Sequence, residues 1–151
     1  MTANITLKVS DRRQRHKAGY TLAELLVVMI ILALLGTLVA PMVFNQIGRS
    51  KSRTADTQIS SLVAAVGLYR LDVGGLPDAA SGLDALVGAP SGVTGWAGPY
   101  LAGNRGVPND PWGNPYVYEY VGPSHAIIRT FGRDAREGGE GEDADISREI
   151  R

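Results

Sequence analysis

Glu24 is a lone carboxylate placed directly before Leu25–Val39, a stretch with no charge. An acid bordering a membrane-length apolar segment is costly to bury and is by default a group with a task. A second reading of the same residues is local. Thr21-x-x-Glu24 has the spacing of a capping box, in which two side chains satisfy the free N–H groups of a helix start. The readings are compatible if a helix begins near Tyr20. A second concentration of chemistry lies in Gly132–Ile146, where Asp134, Glu137, Glu140, Glu142, Asp143 and Asp145 are set among glycines. Carboxylates and carbonyls that converge on one point suit Ca²⁺, which takes about six to eight oxygens, and glycine lets a short loop wrap tightly. The EF-hand pattern fails, because Arg136 and Gly138 stand where Asp or Asn is needed. Gly138-Gly139-x-Gly141-x-Asp143 matches one calcium β-helix hexapeptide, but a single copy cannot stack. By composition alone the segment also reads as a disordered, solvating tail.

Little else could react. The histidines are His16 and His125, and cysteine is absent, so a His-dependent triad or a zinc site has little to draw on. Paired carboxylates for hydrolysis would have to come from the same acidic loop. Lysine plus arginine and aspartate plus glutamate both number 15, which gives no electrostatic footprint for nucleic acid. No disulfide can staple the domain.

The elements that must position these groups follow from periodicity. Tyr20–Ala40 has the roughly 20-residue length of a bilayer-spanning helix. That is longer than the apolar core of a cleaved secretory signal, and it predicts an uncleaved anchor behind a short basic leader. Five cations in the leader face Asp11, and Arg49, Lys51 and Arg53 follow the span, so the positive-inside rule only weakly orients it. Pro41 removes a backbone bond, yet a helical pattern resumes: Ile59, Leu62, Val63, Val66, Tyr69 and Val73 form one apolar stripe. The pattern predicts one helix from about Tyr20 to Leu71, kinked near Pro41, with Gly36 and Gly48 as soft points. Asp56, Gln58 and Ser60 are expected on its solvated face. Gly74-Gly75-Leu76-Pro77 ends it. Ser81-Gly82-Leu83-Asp84 reads as a second capping box opening a short helix to Gly88. A long irregular connection runs from Ala89 to Pro115. Asp110-Pro111-Trp112-Gly113 reads as a tight turn with one aromatic anchor, a structural element. Tyr116–Val121 and Ala126–Phe131 read as an antiparallel pair turned by Gly122–His125 and packed on the helix stripe.

Gly19-Tyr20-Thr21-Leu22-Ala23-Glu24 before an apolar run resembles the type III signal of type IV pilins and type II secretion pseudopilins. Most members have Phe where this chain has Tyr20. Leu71-Asp72 through Pro77, Gly82-Leu83-Asp84-Ala85-Leu86 and Asp110-Pro111-Trp112-Gly113 resemble segments of the major pseudopilins, with Val73 and Leu76 in place of the usual Asn and Tyr. The resemblance implies an α+β, type IV pilin-like fold: a long N-terminal helix packed on a small antiparallel sheet domain with a C-terminal calcium-binding loop. It implies a leader, residues 1–19, removed by a prepilin peptidase that cuts after Gly19 and methylates Tyr20. Residues 20–40 are then the transmembrane and assembly half of the helix, and 41–151 a periplasmic domain anchored in a bacterial inner membrane. Glu24 is expected to pair with the terminal amine of an adjacent subunit in a helical homopolymer. Minor pseudopilins, an inner-membrane assembly platform and lipid are the other implied partners. The match of Gly132-Arg133-Asp134 and Asp143-Ala144-Asp145-Ile146 implies Asp134, Asp143 and Asp145 as structural Ca²⁺ ligands, with Glu142 an alternative to Asp143 and the Phe131 carbonyl a candidate. The implied function is a pseudopilus subunit that helps export folded proteins. A major type IV pilin is the alternative, but many of those need a disulfide that this chain cannot form.

Overall fold

A computed structural model describes residues 19–101, 103 and 106–151, the side chain of Asn45 excepted. The expected leader therefore lies outside the described residues up to position 18. The chain divides into two units, residues 1–40 and Pro41–Arg151.

Helix α1 spans Leu22–Val73 and continues through Pro41. It starts two residues later and ends two later than its periodicity predicts. At its C-terminus Arg70 faces the negative end of the helix dipole. Gly74, at φ +86°, turns the chain out while its amide donates to the Arg70 carbonyl at 2.9 Å. In the first unit, Leu25 through Val39 all present their side chains outward. Within it, Thr37 returns its hydroxyl to the Leu34 carbonyl at 2.7 Å, which hides that polar group in an apolar environment. This is the one described helix long and apolar enough to cross a membrane.

In the second unit α1 buries Ala55, Ile59, Leu62, Val66 and Tyr69, one stripe at helical spacing. The stripe packs in one core with Leu76, Leu83, Leu86, Tyr116, Ala126, Ile128 and Ile150. Asp56 and Gln58 differ from expectation. Both are half-buried: Asp56 accepts from Arg148 at 2.9 and 3.0 Å, and Gln58 accepts from the Tyr116 hydroxyl at 2.6 Å. The face beside the stripe is therefore tethered to Arg148 of the last strand and to Tyr116 just before the first, with Asp56 still about half exposed.

The sheet has three antiparallel strands in the order β1 (Val117–Gly122), β2 (His125–Thr130) and β3 (Ile146–Ile150). The β1–β2 hairpin matches its sequence pattern within one residue. Strand β2 alternates cleanly, with Ala126, Ile128 and Thr130 inward. Strand β3 lies in a segment whose pattern gave no strand. It is recruited by β2, with Thr130 opposite Ile146 and Ala126 opposite Ile150.

Ser81 also departs from expectation. Its backbone is itself helical and its side chain caps nothing. Asp78 takes both the Ser81 amide at 2.7 Å and its hydroxyl at 2.6 Å. The residues that follow make only a 3-10 turn, Gly82–Leu86. The connection beyond is pinned by aromatic rings: Trp96 donates to the Ala85 carbonyl at 2.8 Å, and Tyr100 donates to Asp72 at 2.9 Å. Tyr100 also meets Tyr69 and Trp96 edge-on at 5.7 Å, a favoured aromatic geometry.

Candidate functional site

Two places bring the singled-out residues together. At the helix start, Gly19 and Tyr20 precede α1 and are exposed. The Glu24 amide donates to the Thr21 hydroxyl at 3.2 Å. The return arm, from the Thr21 amide to Glu24 Oε2, measures 3.5 Å, the outer limit of a hydrogen bond. Both arms of the capping box are thus present, the return arm the longer. Threonine caps the helix, and the Glu24 carboxylate, while accepting the Thr21 amide, is exposed.

The second place is the loop between β2 and β3 together with the Asp-Pro-Trp-Gly turn. Asp110 is buried, 4% exposed. Its Oδ1 accepts the amides of Trp112 at 3.0 Å and Asn114 at 2.8 Å, and its Oδ2 accepts the Thr130 hydroxyl. A carboxylate collecting donors in this way is satisfied without a cation. The turn presents Asn114 to the Gly132 carbonyl at 2.8 Å and Trp112 Nε1 to Glu142 Oε2 at 3.0 Å. Gly132, at φ +68°, lies where a Cβ would stand 2.6 Å from the Glu142 carbonyl oxygen, so only glycine lets the two ends of the loop cross.

Within the loop the three expected ligands are dispersed. Asp134 Oδ1 accepts the Arg136 amide at 3.2 Å, and Asp145 Oδ2 accepts the Gly138 amide at 3.0 Å. Asp143 is held by both arms of Arg133, at 3.0 Å each. That bond and the Asp143 charge raise the Arg133 guanidinium above its ordinary pKa. Among the described residues no three acidic, histidine or cysteine side chains gather as they would around a metal. The donor chemistry fits a hard divalent cation in kind, and binding would require Asp143 to leave Arg133. With the two side chains 59% and 30% exposed, that pair is worth about 0–1 kcal/mol. The Arg133 pairing gives no sequence signal beyond its being the basic residue inside the loop. The burial of Asp110 is hinted at by its place before Pro-Trp-Gly. His125 begins β2 at the hairpin turn, its Nε2 3.7 Å from Glu149.

Tyr116 and Tyr118 carry the clearest electrostatic perturbations. Burial, and then the Asp110 charge, push the Tyr116 hydroxyl up to about 12. Burial, helped by the nearby tyrosines and the Asp78 charge, does the same for Tyr118, which donates to the Pro77 carbonyl at 2.8 Å.

Comparison with known proteins agrees with this geometry. The family model described as "Type II secretion system (T2SS), protein G" matches residues 42–149, and the prokaryotic N-terminal methylation motif matches residues 14–40. The type II secretion system core protein G of Pseudomonas aeruginosa is 37% identical over 139 residues, 89% of this chain and 96% of the relative. That of Vibrio cholerae is 36% identical, covering 89% and 93% of the two chains. The crystal structure of the major pseudopilin from the type 2 secretion system of enterohaemorrhagic Escherichia coli aligns with a TM-score of 0.50 at 27% identity, covering 66% of this chain and 86% of that one.

Proposed function

This chain belongs to the type II secretion system protein G family and is a major pseudopilin; from that premise we propose how its two sites serve a pseudopilus. The family is one of structural subunits that self-assemble, anchored by an apolar N-terminal helix in the inner membrane. In our reading, prepilin peptidase cuts between Gly19 and Tyr20 and methylates the new terminus. The domain from residue 41 onward lies in the periplasm. The fibre grows there from copies of this chain, together with minor pseudopilins and an inner-membrane assembly platform, and drives folded proteins across the outer membrane.

The observation that carries this reading is the exposed Glu24 carboxylate at the head of a wholly outward-facing apolar helix. In hydrocarbon an isolated carboxylate or ammonium is poorly solvated, so a pair forms where either charge alone is costly. Pairing Glu24 with the terminal amine of a neighbour would fix one axial register as each subunit leaves the bilayer. Glu24→Gln and Glu24→Ala chains are expected to insert and to lose residues 1–19 normally, yet to build few or no fibres when expressed with an intact secretion machine. Full-length fibres from both variants would overturn the register role, and a mature protein still beginning at Met1 would overturn the processing.

We further propose that the β2–β3 loop takes a structural Ca²⁺ through Asp134, Asp143 and Asp145. What supports this is the oxygen-rich donor set, the glycines that let it wrap, and the weakness of the surface ion pair that the cation would displace.

A further inference from the structure

Glu142 stands where three distant segments meet. Its carbonyl accepts the Arg133 amide at 2.9 Å, which closes the neck of the loop. Its Oε2 accepts from Trp112 Nε1 at 3.0 Å. Its side chain also lies across Gly48 of α1, where a Cβ would come within 2.7 Å of both Glu142 Cγ and Oε1. Gly48 is buried although Ile47 and Arg49 on either side are exposed, and the cleft at this contact is lined by Arg49, Ser52, Arg53 and Gly141. A mid-helix glycine disfavours the helix relative to alanine, so its presence here suits the close approach of another side chain. Trp112 in turn is aimed by the buried Asp110.

We propose that Glu142 is a latch, fastening the acidic loop to α1 through the Trp112 indole and the bare backbone at Gly48, and that it is not a ligand of the cation the loop takes. The latch couples the state of the loop to the helix that enters the fibre. It does not depend on a metal being bound. It rests on residues that are far apart in sequence, so substitution at Gly48 must alter the behaviour of a loop some ninety positions away.

The test uses the full chain in detergent micelles, with trypsin cutting after Arg133 and Arg136 inside the loop, followed by mass spectrometry and with helicity checked by circular dichroism. Glu142→Ala should speed loop cutting about tenfold, as expected for losing a hydrogen bond to a charged group. Gly48→Leu, which fills the place of the Glu142 side chain, should do the same. Gly48→Ala should accelerate cutting less, and since alanine favours the helix, that rise cannot come from loss of α1. Glu142→Gln keeps an oxygen for Trp112 and should stay within about twofold of wild type. The Gly48→Leu, Glu142→Ala double variant should be no faster than either single change. Wild-type cutting in both Gly48 variants, or multiplicative effects in the double, would overturn the latch. Repeating the series in excess Ca²⁺ and in EGTA separates the two roles. If Glu142→Gln abolishes calcium protection while Gly48→Leu keeps it, Glu142 is a ligand and the latch is wrong. If calcium protects no variant but the order of cutting rates holds, the latch stands and only the calcium reading fails.

Discussion

Replacing Asp110 by alanine tests whether the Asp-Pro-Trp-Gly turn is organised from its buried acid. The substitution removes the acceptor of two amides and one hydroxyl from a site only 4% exposed. Each hydrogen bond to a charged group is worth about 1.5–3 kcal/mol net, but three that share one carboxylate do not add fully. Buried amides left without an acceptor also lose access to water, so the combined cost is about 3–5 kcal/mol. For a folded unit of this size that lowers the melting temperature by roughly 15 °C or more. Asp110→Asn keeps a neutral oxygen for the Trp112 and Asn114 amides but turns a donor toward Thr130, and should cost about 1–2 kcal/mol. Thr130→Val removes the donor to Oδ2 and the acceptor of the Gly132 amide at 3.3 Å, and should cost about 1–2 kcal/mol. Thermal melts of the purified full chain, followed in the tryptophan region of the near-ultraviolet circular dichroism, give the order. An Asp110→Ala protein melting within about 3 °C of wild type would refute the reasoning, because the turn would then hold itself.

Two further outcomes are expected. Tyr116 and Tyr118 have folded pKa values raised from 10.0 to about 12. Their contribution is complete below pH 10 and lost as pH rises toward 12, so the melting temperature should fall across that window. The Tyr116→Phe, Tyr118→Phe double variant should lose most of that alkaline slope, and an unchanged slope would remove the burial argument. EGTA should lower the melting temperature of the calcium-loaded chain and added Ca²⁺ should restore it, while an identical melt in both would remove the calcium proposal.

The long helix was legible because its two halves speak in different codes, an unbroken apolar run and then a stripe at helical spacing, and the helix itself persists through Pro41. The hairpin was legible from β-forming runs on either side of Gly122-Pro123-Ser124. Strand β3 was not. Ile146-Ser147-Arg148-Glu149-Ile150 has no alternation strong enough to declare itself, and it becomes a strand because β2 offers an unpaired edge and Asp56 receives Arg148. Asp56 and Gln58 misled for the same reason: polar residues beside a stripe look solvated until the partner that needs them is in place. Ser81 failed as a cap because Asp78, three residues earlier, had already claimed its amide and hydroxyl. At the sites, Glu24 and the acidic loop stood out by residue type. The pairing of Arg133 with Asp143 and the approach of Glu142 to Gly48 depend on tertiary closure, which local spacing does not encode.

Because Thr130 faces Ile146 across the sheet, the excursion between them leaves and returns at one rung. Its length is uncoupled from strand alignment, and lengthening a flexible connection adds ring-closure entropy only logarithmically. Around the exposed Arg136 and Glu137 a change in length would therefore be felt by the acid-lined loop itself and not by the alignment of the strands beneath.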